Sequence, residues 1–269
     1  MTVAYAEVND GRLWYEVAGA GPGVALLHPG LWDSRTWDGQ FEPFAERFTV
    51  VRHDVRGYGR SSRPEPGHPY SHVEDLAAVM DAAGLERAAL VGCSMGGGIG
   101  LNFALSFPDR VTALVLAATA VGGFEETPEE AAAFADLEHE IEAATEAGDL
   151  ERSMDLELGV WAPLGTDDER GRRIREIAMD NLHERTMDES AQVPLDPPAS
   201  QRLEQVACPT LVLPADHDPP VMRRISDEVA RRVPNARLVQ IPRTDHVVNM
   251  RQPDEFDRVV IAFLEQTLR

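Results

Sequence analysis

Lysine is absent from this chain of 269 residues; every basic side chain is an arginine, 25 in all. Cations are also outnumbered: 46 Asp and Glu leave a formal net charge of −21. Nucleic-acid phosphates and anionic lipid repel a surface of that sign, so roles on nucleic acid or at a membrane surface are not expected. The acid itself fits a soluble protein, and the missing lysine fits a compositional bias. No apolar run approaches the ~18 residues of a membrane span. The N-terminal Met1 to Asp10 has no basic stretch leading into an apolar one, so no secretory leader is expected. Cysteine is nearly absent too. Cys93 and Cys208 are too few for a disulfide framework, which makes a reducing cytoplasm the expected location. No H-E-x-x-H motif and no Cys/His cluster at ligand spacing occurs, so no metal and no cofactor are expected. No internal repeat is visible.

What remains is a globular composition, 43% hydrophobic and long enough for one large domain. Short apolar runs alternate with amphipathic stretches. Tyr5 to Val8 and Leu13 to Val17 flank an Asn-Asp-Gly turn and read as a hairpin. Val24 to His28, Thr49 to Arg52, Ala88 to Gly92, Val111 to Ala117, Thr210 to Leu213 and Leu238 to Ile241 read as buried strands. Helical patterns fall around Thr36 to Arg47, His72 to Ala83, Gly97 to Ser106 and Pro253 to Leu268. This β–α alternation predicts an α/β fold with a mostly parallel sheet and helices on both faces. The pattern breaks after Ala120. Residues 125–190 are helix-prone and hold 21 Asp or Glu against 6 Arg. So few aromatics would give a separate domain a thin core. Residues 123–195 are therefore expected to form a helical cap, or lid, on a body made of residues 1–122 and 196–269.

The chemistry centres on Gly92-Cys93-Ser94-Met95-Gly96, followed by Gly97 and Gly98. This G-x-S-x-G lies between a buried strand and a helical pattern, the context of a strand-to-helix turn that exposes a nucleophilic serine. Such a turn is sharp and strained, and it needs small neighbours. A serine hydroxyl also needs a base. His246, in a loop after the last expected strand, is preferred to His217. The acid that orients the base should follow Thr210 to Leu213, where Asp216 and Asp218 both stand. Oxyanion donors are expected from the Met95 N–H and from the turn after Val24 to His28. There Pro29 has no N–H, Gly30 is preferred and Leu31 comes second. His28 is expected to brace that turn. Cys93 is expected to be a packed, inert thiol. Leu31, Trp32, Met95, Trp161 and Val247 are expected pocket walls. Acid in the cap disfavours anionic substrates at long range, an effect that Arg35 or Arg243 could offset locally.

Taken together, these motifs resemble those of the α/β-hydrolase superfamily over nearly the whole chain. Leu27-His28-Pro29-Gly30-Leu31-Trp32-Asp33-Ser34 resembles its oxyanion loop, with Pro29 in a usual glycine place. Asp54-Val55-Arg56-Gly57-Tyr58-Gly59-Arg60-Ser61 is similar to its D-x-R-G-x-G-x-S turn. Cys208-Pro209-Thr210-Leu211-Val212 resembles the strand before its G-x-x-D acid. Ala215 takes that glycine's place, so the resemblance implies Asp218 as the acid. Asp245-His246 replaces the common Gly-His. The resemblance implies an eight-stranded α/β-hydrolase fold with a cap. A serine at position 94 argues against the haloalkane dehalogenases and epoxide hydrolases, which use Asp. The Gly-x-Ser-Met-Gly-Gly form is similar to capped esterases, enol-lactonases and cofactor-free haloperoxidases. The expectation is a serine hydrolase of a small ester or lactone using Ser94, His246 and Asp218. A carbon–carbon hydrolase, a lyase, a cofactor-free oxygenase-type activity and a non-catalytic ligand-binding protein are the alternatives. The expected partner is a small-molecule substrate, and the expected state a monomer or homodimer.

Overall fold

The computed structural model describes residues 1–268. In chain order, β1 (Thr2–Val8), β2 (Gly11–Ala18) and β3 (Gly23–Leu27) lead to α1 (Asp38–Ala45), β4 (Thr49–His53) and α2 (His72–Ala82). Next come β5 (Ala88–Cys93), α3 (Met95–Ser106) and β6 (Val111–Ala117). Three helices follow, α4 (Pro128–Glu146), α5 (Leu150–Trp161) and α6 (Glu169–Asp180). The chain closes with β7 (Thr210–Leu213), α7 (Pro220–Arg232), β8 (Ala236–Leu238), α8 (Val248–Arg251) and α9 (Pro253–Thr267). The eight strands form one sheet in the order β1-β2-β4-β3-β5-β6-β7-β8. β1 pairs antiparallel with β2, and β2 with β4; every other pair is parallel.

The central strands read as unbroken apolar runs because both faces are covered. Alternate residues go to opposite sides. Ala25, Leu27 and Leu90 join one core with Leu76 and Met80 of α2, Phe103 of α3 and Ile225 of α7. Val24, Leu26, Ala89 and Val91 join the other with Phe41 and Phe44 of α1 and Phe256, Val260 and Leu264 of α9. Each such large side chain contributes roughly 1.5–3 kcal/mol by leaving water. The last strand differs from the sequence reading. It spans Ala236–Leu238, not Leu238 to Ile241; Ile241 makes only an isolated bridge to Ala215. β8 is an edge strand, so its pairing residues need not be apolar, and hydrophobicity marked the wrong stretch.

The D-x-R-G-x-G-x-S turn after β4 has a clear physical basis. Asp54, fully buried, accepts from Ser34 N–H and Oγ and from Arg60 N–H and Nε. Arg56 makes a two-pronged ion pair with Asp75 of α2. Gly59 has φ +52°, and a Cβ there would lie 2.4 Å from Asp54 Oδ2, so only glycine fits.

Between β6 and β7 the chain leaves the sheet for the helical insertion. Thr127 starts α4 with a reciprocal capping box to Glu130, and Asp149 and Asp168 cap α5 and α6. Met154, Leu158, Ile174, Ile177 and Ala178 of the insertion share a small core with Leu31, Trp32 and Val247 of the body. Among the described residues no helix is long and apolar enough to cross a membrane.

Candidate active site

Ser94 joins β5 to α3 with φ 51° and ψ −117°, a strained conformation for a non-glycine residue. Its surroundings fix it. The Ser94 N–H donates to Ala117 O at 2.9 Å, and the Ser94 carbonyl accepts from Gly98 at 2.9 Å and Ala120 at 3.1 Å. A Cβ on Gly92 would lie 2.4 Å from Gly96 O, and one on Gly96 2.1 Å from Leu27 O. The two motif glycines are therefore what lets strand, turn and helix approach.

His246 sits on the loop between β8 and α8, and Asp218 on the loop after β7. His246 Nδ1 is 3.0 Å from Asp218 Oδ1, and both residues are buried. Asp218 Oδ2 is buried with no partner among the described residues. Asp216, the other candidate acid, bonds to backbone instead. Its carboxylate accepts from the Arg243 and Thr244 N–H groups at 2.8 and 2.7 Å, so it pins the His246 loop. Burial works to raise the Asp216 pKa, but those two N–H donors bring it below the usual value. His217 is exposed, and its N–H joins the two loops through Thr244 O. The Cys93 thiol donates to His246 O at 3.1 Å. Burial pushes its pKa well up, which leaves it unreactive.

Asp245, in the place where glycine is usual, is fully buried and forms an ion pair with Arg251 at 2.7 Å. The pair also reaches the insertion: Asp245 Oδ2 accepts from Leu164 N–H, and Arg251 Nη2 donates to Gly165 O.

Around Gly30, His28 decides the geometry. Its Nε2 accepts from Val55 N–H at 2.9 Å, so the ring proton sits on Nδ1 and donates to Pro29 O at 2.8 Å. Burial, against the pull of the Pro29 carbonyl, holds the His28 pKa below its ordinary value, and the ring stays neutral. With Pro29 O tied down, the trans peptide turns the Gly30 N–H the opposite way. Neither the Gly30 nor the Met95 N–H has an acceptor among the described residues.

Gly30, Met95, Ser94 and His246 line one cavity of about 380 Å³. Met95, Gly98, Ile99 and Asn102 of α3 form one wall at helical spacing, a run of about 10 Å. Leu31, Trp32 and Trp161 also line it, and the Trp161 ring lies 4.5 Å from that of His246. Val247 does not; it faces the insertion's small core. Nor do the two arginines expected to offset the acid. Arg35 is held by Asp33 and Asp180, and Arg243 is exposed on its loop. The sequence reading missed Tyr58, His72, Asn102, Glu184, Glu189 and Gln192. Helical spacing from Met95 would have found Asn102; the insertion residues carry no such signal. Among the described residues no group of three or more His, Cys, Asp or Glu is placed to hold a metal.

A mostly parallel sheet with a strained serine at the end of β5, and a His–Asp pair on neighbouring loops, defines an enzyme class: the α/β hydrolases. The chain belongs to the alpha/beta hydrolase fold family, whose model matches residues 24–253. A putative carbamate hydrolase, RutD, of Azorhizobium caulinodans is 30% identical over 264 residues, 96% of this chain and 97% of that one. An uncharacterised Mycobacterium tuberculosis protein is 38% identical over 120 residues, 43% of this chain, and the match spans 34% of that relative's length. A Pseudomonas aeruginosa hydrolase superposes with a TM-score of 0.76 at 28% identity, covering 97% of this chain and 98% of that one. Est816, described as an N-acyl homoserine lactone degrading enzyme, gives a TM-score of 0.74 at 27% identity, covering 97% and 100%.

Proposed function

We propose that this protein is a serine hydrolase of small carboxylic esters or lactones, with residues 123–195 capping the site. The observation that carries the reading is the His246–Asp218 pair at 3.0 Å, with His246 lining the same cavity as the strained Ser94. Ser94 Oγ attacks the substrate carbonyl while His246 Nε2 takes its proton. Asp218 keeps the Nδ1 proton in place and balances the imidazolium. The Gly30 and Met95 N–H groups receive the oxyanion, helped by the positive end of α3. His246 then protonates the departing alcohol, an acyl-enzyme forms on Ser94, and His246 activates the water that releases it. The relatives described as acting on carbamate and on lactone support a carbonyl electrophile.

The test is hydrolysis of p-nitrophenyl esters from acetate to decanoate, with a set of lactones, by wild type and Ser94→Ala. The expected result is a loss of roughly a thousandfold or more in kcat, with the fold intact by circular dichroism. Labelling of the wild type by a fluorophosphonate, absent in the variant, is expected alongside. Undiminished turnover in Ser94→Ala would remove Ser94 as nucleophile.

A further inference from the structure

The face that the insertion turns to the cavity is short of positive charge. Glu184 lines the cavity, and Arg185 and Glu157 lie behind, with side chains of Glu157, Glu184 and Arg185 only 16%, 10% and 15% exposed. Arg185 is 2.9 Å from Glu157, 3.3 Å from Glu184 and 3.1 Å from Ser153 Oγ. Both Glu157 oxygens are engaged, Oε1 by Arg185 and Oε2 by the Trp161 ring N–H. Glu184 has only the longer contact through Oε1, and its Oε2 has no partner among the described residues. Glu189 stands at the exposed rim of the same cavity without an ion pair. Glu157 and Glu184 thus share one guanidinium, Glu189 has none, and no arginine lines the cavity among the described residues.

Two further polar side chains line the cavity. Tyr58 is 5% exposed, and its hydroxyl has no hydrogen-bond partner among the described residues. A Cβ built on Gly30 would be 3.8 Å from that hydroxyl, which places it over the candidate oxyanion loop. His72 is 8% exposed, lines the same cavity, and its Nδ1 is buried without a partner. Burial, reinforced by Arg56, holds His72 near a pKa of about 4, so it adds no positive charge. The aromatic rings of Trp32, Tyr58 and Trp161 line the rest. Carboxylates and aromatic faces with no competing cation are what an ammonium group binds.

We propose, building on the serine-hydrolase reading, that the site selects acyl substrates carrying an ammonium group, received by Glu184 and Glu189 and the aromatic wall, and rejects those carrying a carboxylate. A carboxylate in the same place would meet two like charges, and the one nearby guanidinium, that of Arg185, is already paired with Glu157 and Glu184. An ammonium supplies the missing counter-charge, and the Tyr58 oxygen is a ready acceptor for it. The wall of α3 is about 10 Å long, so an extended chain of about six bonds, roughly 7 Å, fits within it.

The test has a kinetic and a binding arm, both at pH 8. The kinetic arm compares kcat/KM for the p-nitrophenyl esters of 6-aminohexanoate, heptanoate and adipate (as its half-ester). The binding arm measures hexylammonium, hexanol and hexanoate on the Ser94→Ala protein by calorimetry. Ammonium should be favoured over carboxylate by roughly a hundredfold, with the neutral compound between them. Glu184→Gln should cut that ratio by about tenfold, and so should Glu189→Gln, which sits on the rim where folding is least at risk. Equal or tighter binding of hexanoate overturns the proposal. So does an ammonium preference that survives the combined Glu184→Gln and Glu189→Gln change. If wild type hydrolyses none of the esters yet Ser94→Ala binds hexylammonium selectively, the hydrolase reading fails and the ammonium site stands.

Discussion

Glu184 ionises against its surroundings. Burial raises its pKa from 4.5 to about 7; Arg185 works against that rise, and Glu157 and Glu189 add to it. A carboxyl whose folded pKa is raised binds its proton more tightly in the native state. Its contribution is therefore fully present below about pH 4.5 and is lost as pH rises through about 7. Glu184→Gln removes that penalty. The variant should match wild type in stability near pH 4.5 and exceed it at pH 8 by roughly 1–3 kcal/mol. Urea unfolding at the two pH values checks this; a variant less stable than wild type at pH 8 shows that the contact to Arg185 outweighs the burial. A carboxyl perturbed in this way and lining a cavity fits the proposed role of receiving an ammonium group. Neither Glu184 nor Tyr58 was legible in the sequence as a site residue. The proposed triad was legible there: Ser94 and His246 from their places beside strand ends, and Asp218 over Asp216 only through the family resemblance. Tyr58 occupies a variable place in its motif, and Glu184 reaches the cavity only through the packing of the insertion.

At the level of elements, the loop from β8 to α8 is held at both ends. Asp216 pins its start through two backbone N–H groups, and the Asp245–Arg251 pair pins its end. Arg170 of α6 adds a bond to Arg251 O, so the pair ties the His246 loop to the insertion. Both partners are at most 5% exposed. Removing either one alone strands the other in the interior, at a cost of about 3–5 kcal/mol. Asp245→Asn and Arg251→Gln should each destabilise by that order and lower kcat by misplacing His246. The double variant should fall short of the sum by more than about 1 kcal/mol. Additive losses in the full cycle would mean that the two side chains do not act as a pair. Elements of this kind differ in how far the sequence reveals them. Buried strands such as β5 and β6 announce themselves as apolar runs, and their bounds agree with the reading to within a residue. The edge strand β8 is set by hydrogen bonds to β7 while its side chains stay half in water. Its register was invisible for that reason.

For the molecule as a whole, the break in pattern after Ala120 and the run of acid marked where the insertion lies, but not what holds it down. α4 buries only Ile141, and the insertion's apolar side chains close around Trp32, Leu31 and Val247 of the body. The Trp32 ring N–H donates to Ile174 O at 2.9 Å, filling the end of that cluster. A core completed by a neighbour does not survive alone: isolated helices of 12 to 19 residues, the lengths found here, are marginal in water. The 21 acids against 6 arginines in residues 125–190 add self-repulsion that the body's arginines offset, as Arg224 does for Glu130. A fragment spanning 123–195 should therefore be largely unfolded by circular dichroism. The intact protein should lose its far-ultraviolet and tryptophan signals in one coincident urea transition. Trp32→Ala should cost about 3–5 kcal/mol and split that transition, with the insertion melting first. A helical, cooperatively melting fragment would instead make the insertion a domain in its own right, joined to the body by contact and not by a shared core.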